Sequence, residues 1–269
     1  MKIEEFKNEE ELRKEADEPT LKCLELWKSM CDKLELDSYI EVLIGNRHDH
    51  PDYEDWPGHF STADMKKIDN KNYLILWLDS LPIKDLATVT HEVGHYILTF
   101  QGFNDKKIET NEYPSIKKKI PDEYLEEFFN SLLHHKPLYD LQKNFGHNPD
   151  FKKKDSIKKY ENEFNNSEEK ADIRKILYHS LILSDHFINN SKSDIEKLKD
   201  VLTEKHPETL DIILNIERIS EEYNLSDPVA NNNFSDVILD YIKKNYYKKL
   251  EWKTAPLSKA VNKKIKQRI

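Results

Sequence analysis

Apolar positions along the chain change period several times, and each change marks an element. Between Pro19 and Leu34, the residues Leu24, Trp27, Cys31 and Leu34 recur at helical spacing, which predicts a helix. Residues 39–44 then form a run of β-formers stopped by Gly45-Asn46, and residues 72–78 form another. From about Lys84 to Phe100 the helical period returns. Leu86, Thr90, Val93, Ile97 and Phe100 make an apolar stripe, Thr88, His91, His95 and Leu98 lie on a different face, and Gly102 is the expected C-cap. Residues 103–119 read as a polar and basic loop or lid. Pro121 opens a helix to about His135, with Phe128, Phe129, Leu132 and Leu133 in its apolar arc, and Lys136-Pro137 is expected to end it. Residues 139–145 read as a short helix and 146–149 as a turn. Further helices are predicted over about 168–188, 193–204, 207–223 and 234–247. The first 17 residues are highly charged and read as a helix or a frayed arm.

These elements predict an α+β fold that is mostly helical. A small N-terminal sheet packs on the 84–100 helix, and a helical subdomain follows. The expected organisation is a core over 1–190 with an insertion or lid near 103–160, a helical subdomain over 191–251 and a basic tail over 252–269.

Composition narrows the function classes. The 269 residues are 37% hydrophobic and 35% charged, a polar chain that still has enough apolar residues for a core. Only 5 glycines occur, so few tight hairpins are expected. The net charge of -9 gives no general argument for nucleic-acid binding, although residues 252–269 carry six basic side chains and no acidic one. Cys23 and Cys31 lie too far apart along one predicted helix to bridge, so both read as reduced thiols. No apolar run reaches the roughly 18–20 residues that span a bilayer, and the N-terminal residues do not read as a signal peptide. A cytoplasmic protein without a membrane partner is expected.

The chemistry concentrates in His91-Glu92-Val93-Gly94-His95. Residues four apart share a helical face, so two imidazoles stand one turn apart. So placed, they suit one zinc ion, with Glu92 beside them to accept a proton from a metal-activated water. A second histidine pair, His48-x-His50, sits in a Pro- and Gly-containing stretch and reads as a solvated loop.

A β-run followed by a helix bearing H-E-x-x-H resembles the zincin metallopeptidases. The resemblance covers about residues 72–100 and 166–180. It implies a third zinc ligand downstream. The extended metzincin motif would place a histidine at Gln101, which disfavours that subclass. In gluzincins the third ligand is a glutamate early in a later helix, with an acidic residue four positions on that orients a ligand histidine. Glu168 and Asp172, with Ala171 between them, match that pattern. Glu127, His135 and Glu126 on the preceding helix are the alternatives, and His135 would make a three-histidine site. The resemblance further implies a strand at the cleft edge that pairs with extended substrate, either residues 60–65 or residues 73–78. It also implies a donor for the developing oxyanion, for which His179 and Tyr178 are candidates.

The expectation is therefore a gluzincin-like zinc hydrolase acting on a peptide or protein substrate, with Glu92 as general base. The alternative is a zinc-binding regulatory or interaction protein with weak or lost activity.

Overall fold

The computed structural model describes residues 6–34, 39–50, 62–78, 86–104, 106–110, 122–148, 150–169, 173–245 and 250–254. They fall into two compact units. The first runs to Phe100 and includes Leu141–Asn148. The second holds Gln101–Asp140 and the described residues from 150 on.

The first unit begins with helices α1 (Glu9–Glu15) and α2 (Glu18–Lys33). The acidic start is docked rather than frayed. Asn8 caps α1 with a capping box, and the buried Glu9 carboxylate accepts from the Val42 amide at 3.1 Å and from Tyr39 Oη at 2.7 Å. Strands β1 (Glu41–Asn46), β2 (Thr62–Ile68) and β3 (Lys71–Leu78) form a sheet of order β1-β3-β2. β1 runs parallel to β3, and β2 runs antiparallel to it.

The hairpin between β2 and β3 needs no glycine. Asp69 and Asn70 take φ of 47° and 67°, a left-handed pair that short polar side chains tolerate. β3 is buried from Tyr73 to Leu78. One face joins Leu43, Tyr73, Ile75 and Trp77 to Phe6 and Ile68. Gly45 lies beside Trp77 in the sheet, where a Cβ would come within 2.7 Å of the indole ring.

Helix α3 (Leu86–Phe100) packs on α2 and the sheet. The expected apolar stripe is the buried one. Thr90, Val93, Ile97 and Phe100 face inward and Leu86 is half-buried. Leu98 is buried as well, so the open face narrows to Thr88, His91, Glu92 and His95, all half-buried. Trp27 of α2 stacks on Phe100 with ring centroids 5.1 Å apart, and Tyr96 Oη donates to the Ala63 carbonyl of β2 at 3.0 Å. Both contacts set the rotation of α3. The thiols of Cys23 and Cys31 are buried and unbridged, and desolvation raises both above their ordinary range.

The second unit is helical. It contains α5 (Asp150–Asn165), α6 (Ile173–Asn189), α7 (Lys192–Lys205), α8 (Pro207–Ser220) and α9 (Pro228–Asn245). It also holds most of α4 (Asp122–Phe145). α6 and α8 lie between two apolar clusters. Phe129 and Leu133 of α4 with Phe234 and Ile238 of α9 fill one side, and Ile157 and Phe164 of α5 with Leu198 and Leu202 of α7 fill the other. Helices α7–α9 thus share their cores with α4–α6. The mostly helical α+β architecture is the expected one, with nine α-helices among the described residues. None of these is long and apolar enough to cross a membrane.

Two stretches depart most from the sequence reading. Within 103–119, residues Lys106–Thr110 form strand β4, which pairs antiparallel with β5 (Leu250–Thr254), so the first residues of the basic segment are sheet. Residues 255–269 lie outside the described residues. The second difference is α4, which does not end at Pro137 but continues to Phe145. Gly146, at φ 107°, closes it, with the amides of Gly146 and His147 both donating to the Gln142 carbonyl.

Candidate metal centre

His91 and His95 stand one turn apart on α3, with their Nε2 atoms 3.3 Å apart and their rings edge-on. Tetrahedral zinc holds imidazole nitrogens at about 2.05 Å, which puts any two of them about 3.3 Å apart. The pair therefore has the spacing of two zinc ligands without rearrangement.

A third imidazole belongs to the same group. His91, His95 and His135 each offer one ligand atom, all within 4.8 Å of one another, and all three side chains are half-buried. This triad can hold a metal ion. His135 stands on α4, and Gln142 stands two turns later on the same unbroken helix. Gln142 Nε2 donates to the Ala87 carbonyl at 3.0 Å and to Thr90 Oγ1 at 3.2 Å.

The Nδ1 of His135 lies 2.7 Å from Oδ2 of Asp185 on α6. A carboxylate has no proton to give, so Nδ1 carries the hydrogen and Nε2 keeps its lone pair for a metal. Asp185 is 6% exposed, and its Oδ1 accepts from Asn189 Nδ2 at 2.7 Å. The Tyr139 hydroxyl is a further neighbour of Nδ1, at 3.3 Å.

Behind α3, a polar chain fixes the face opposite the histidines. Thr90 Oγ1 lies 2.8 Å from His147 Nδ1, and His147 Nε2 lies 3.0 Å from Asp17 Oδ2. Asp17 is also the N-cap of α2 and accepts from the Thr20 amide. Partial burial works against its charge, but hydrogen bonds from Thr20 and His147 outweigh that and hold the carboxyl below its ordinary value. His147, expected to be a plain turn residue, is a member of this network.

The other sequence-derived candidates lie elsewhere. Glu168, the expected third ligand, is exposed in the segment between α5 and α6 and is not a member of the histidine group. The described helix there begins at Ile173. The acidic stretch has a different physical use. Glu169 accepts from the amides of Glu208 and Thr209 at 3.0 and 2.8 Å, capping the start of α8, whose N-cap residue His206 makes no side-chain cap bond. Asp172 lies outside the described residues, as do the side chains of Glu126 and Glu127. Residues 60 and 61 lie outside them too, whereas β2 begins at Thr62 and pairs with β3. His50 is buried against Trp77 and pairs with Asp64 at 3.0 Å, and His48 is exposed.

His179 packs on Phe164 with ring centroids 4.8 Å apart and next to Tyr178, and neither residue belongs to the metal group. Desolvation, helped by His206 and Lys175, lowers the His179 imidazole to about 4. An imidazole that stays neutral in the fold but charges near 6.5 when unfolded costs stability as pH falls from about 6.5 to about 4. The loss amounts to at most about 3 kcal/mol, and no more accrues below that window. Denaturant unfolding across this range is expected to show that slope in the wild type and a shallower one in His179→Phe.

No protein family matches this sequence, and no curated protein or solved structure is significantly similar to it.

Proposed function

We propose that the protein is a zinc-dependent hydrolase of the zincin type, acting on peptide bonds, with His91, His95 and His135 as its metal ligands. The observation that carries this reading is the third imidazole. Two histidines on one helix are a common accident, but a third that converges on them with its Nδ1 held by a buried carboxylate is the arrangement of a ligand set.

Three neutral imidazoles suit zinc among the divalent ions. Zinc held there would supply a Lewis acid for a carbonyl oxygen and would make a water molecule acidic near neutral pH. Glu92, on the same helix between the two histidines, takes the proton from the attacking water and returns it to the leaving nitrogen. Asp185 keeps His135 in the tautomer that presents Nε2, and Tyr139 adds a polar neighbour on that side.

The experiment is cleavage of a peptide library by zinc-loaded protein, with a chelator control and Glu92→Gln beside it. Cleavage lost in both controls supports the reading. Cleavage unaffected by Glu92→Gln, or absent from zinc-loaded wild type, counts against it.

A further inference from the structure

Helix α4 carries a proline in its interior, Pro137. Proline has no amide hydrogen, so the carbonyl four residues earlier loses its helical donor, and the ring crowds the same oxygen. That carbonyl belongs to Leu133, which is fully buried, and a buried carbonyl without a donor is costly. Helix α9 supplies the missing donor. Asn231 Nδ2 lies 2.7 Å from the Leu133 carbonyl and 2.9 Å from that of Leu225. Asn231 is itself fully buried, and both neighbours are acceptors, so the amide nitrogen must be the atom that faces them.

His135 stands in the middle of the turn that begins at Leu133 and ends at Pro137. The next residue of α9 serves the segment that follows the other ligand helix. Asn232 Nδ2 donates to the Gly102 carbonyl at 3.0 Å, and its Oδ1 accepts from the Asn104 amide at 3.1 Å. Gly102 has φ 100° and closely follows α3.

We infer that Asn231 is a positioning residue for the third metal ligand: its side-chain amide replaces the hydrogen bond that Pro137 removes and so fixes the turn of α4 that presents His135. This rests on the metal reading given above. Without the donor, α4 is free to bend at the proline, between His135 and the Gln142 anchor. A ligand set is sensitive to displacements of about 1 Å.

The test is zinc affinity, measured by competition with a chromophoric chelator, in wild type, Asn231→Leu, Pro137→Ala and the double variant. Thermal unfolding of the metal-free proteins runs in parallel. Asn231→Leu keeps the volume and removes the donor, and it is expected to weaken zinc binding by about tenfold or more. With Pro137→Ala, residue 137 regains an amide hydrogen for the Leu133 carbonyl. Adding Asn231→Leu then changes affinity by less than about twofold. Lower unfolding temperatures in both backgrounds with zinc affinity unmoved would mean a purely structural asparagine and would overturn the inference alone. Wild type that takes up no zinc would overturn the metal reading and the inference together. If Asn231→Leu does not fold, a folded and zinc-binding double variant supports the assignment, and an unfolded double variant contradicts it.

Discussion

Glu92→Gln is expected to lower peptide hydrolysis by about a thousandfold while zinc affinity stays within about threefold of wild type. The size follows from the role. A positioned general base contributes typically 10²–10⁴ in rate, so losing it costs about 4 kcal/mol of transition-state stabilisation. Glutamine keeps the shape and one acceptor oxygen but is not basic. Metal affinity is spared because Glu92 is not a member of the ligand group. Turnover on a cleaved peptide and zinc competition on the same preparations separate the two quantities. A parallel fall in both would mean that the substitution damages the site rather than the chemistry.

The second large effect is expected at Asp185. Asp185→Ala removes the acceptor for His135 Nδ1 and for Asn189 Nδ2, two partly buried hydrogen bonds to one carboxylate. Losing such an outer partner typically weakens metal binding by about 10–100-fold. The metal-free protein should also lose roughly 3 kcal/mol, since a hydrogen bond to a charged group is worth about 1.5–3 kcal/mol and two are broken. Asp185→Asn keeps an acceptor oxygen and should fall between wild type and alanine in both measurements. Zinc competition and denaturant unfolding of the metal-free variants read the two consequences separately. Unchanged zinc affinity in Asp185→Ala would remove His135 from the ligand set or Asp185 from its support.

The contrast between the two sides of this site explains what is legible in the chain. α3 and its histidine pair are local features. The stripe from Leu86 to Phe100 and the four-residue spacing of His91 and His95 are visible within one window, and the structure places them as that window implies. His135 is not local. Pro137 follows it by two residues and reads as a stop, because the donor that rescues the Leu133 carbonyl lies 98 residues downstream in Asn231. With the helix expected to stop at Pro137, nothing in the sequence carries α4 on to Phe145.

Glu168 is attractive in the sequence because an acidic pair followed by Ala171 and Asp172 fits a known ligand spacing. The same acidity suits the exposed N-terminus of another helix, and Glu169 is used that way on α8. Strand β2 is only half-visible. Met65, Lys66, Lys67 and Ile68 lack a clean alternation, and β3 supplies their pairing. The Asp69-Asn70 turn is the local signal for that hairpin.

The most direct measurement is zinc stoichiometry and affinity in wild type, His135→Ala and Glu168→Ala, purified without added metal. A three-histidine centre predicts about one zinc per wild-type chain. It further predicts that His135→Ala weakens binding by more than about a hundredfold, beyond what losing an outer partner costs, and that Glu168→Ala leaves it unchanged. Zinc retained by His135→Ala and lost from Glu168→Ala would contradict that centre and return the third ligand to the acidic segment before α6.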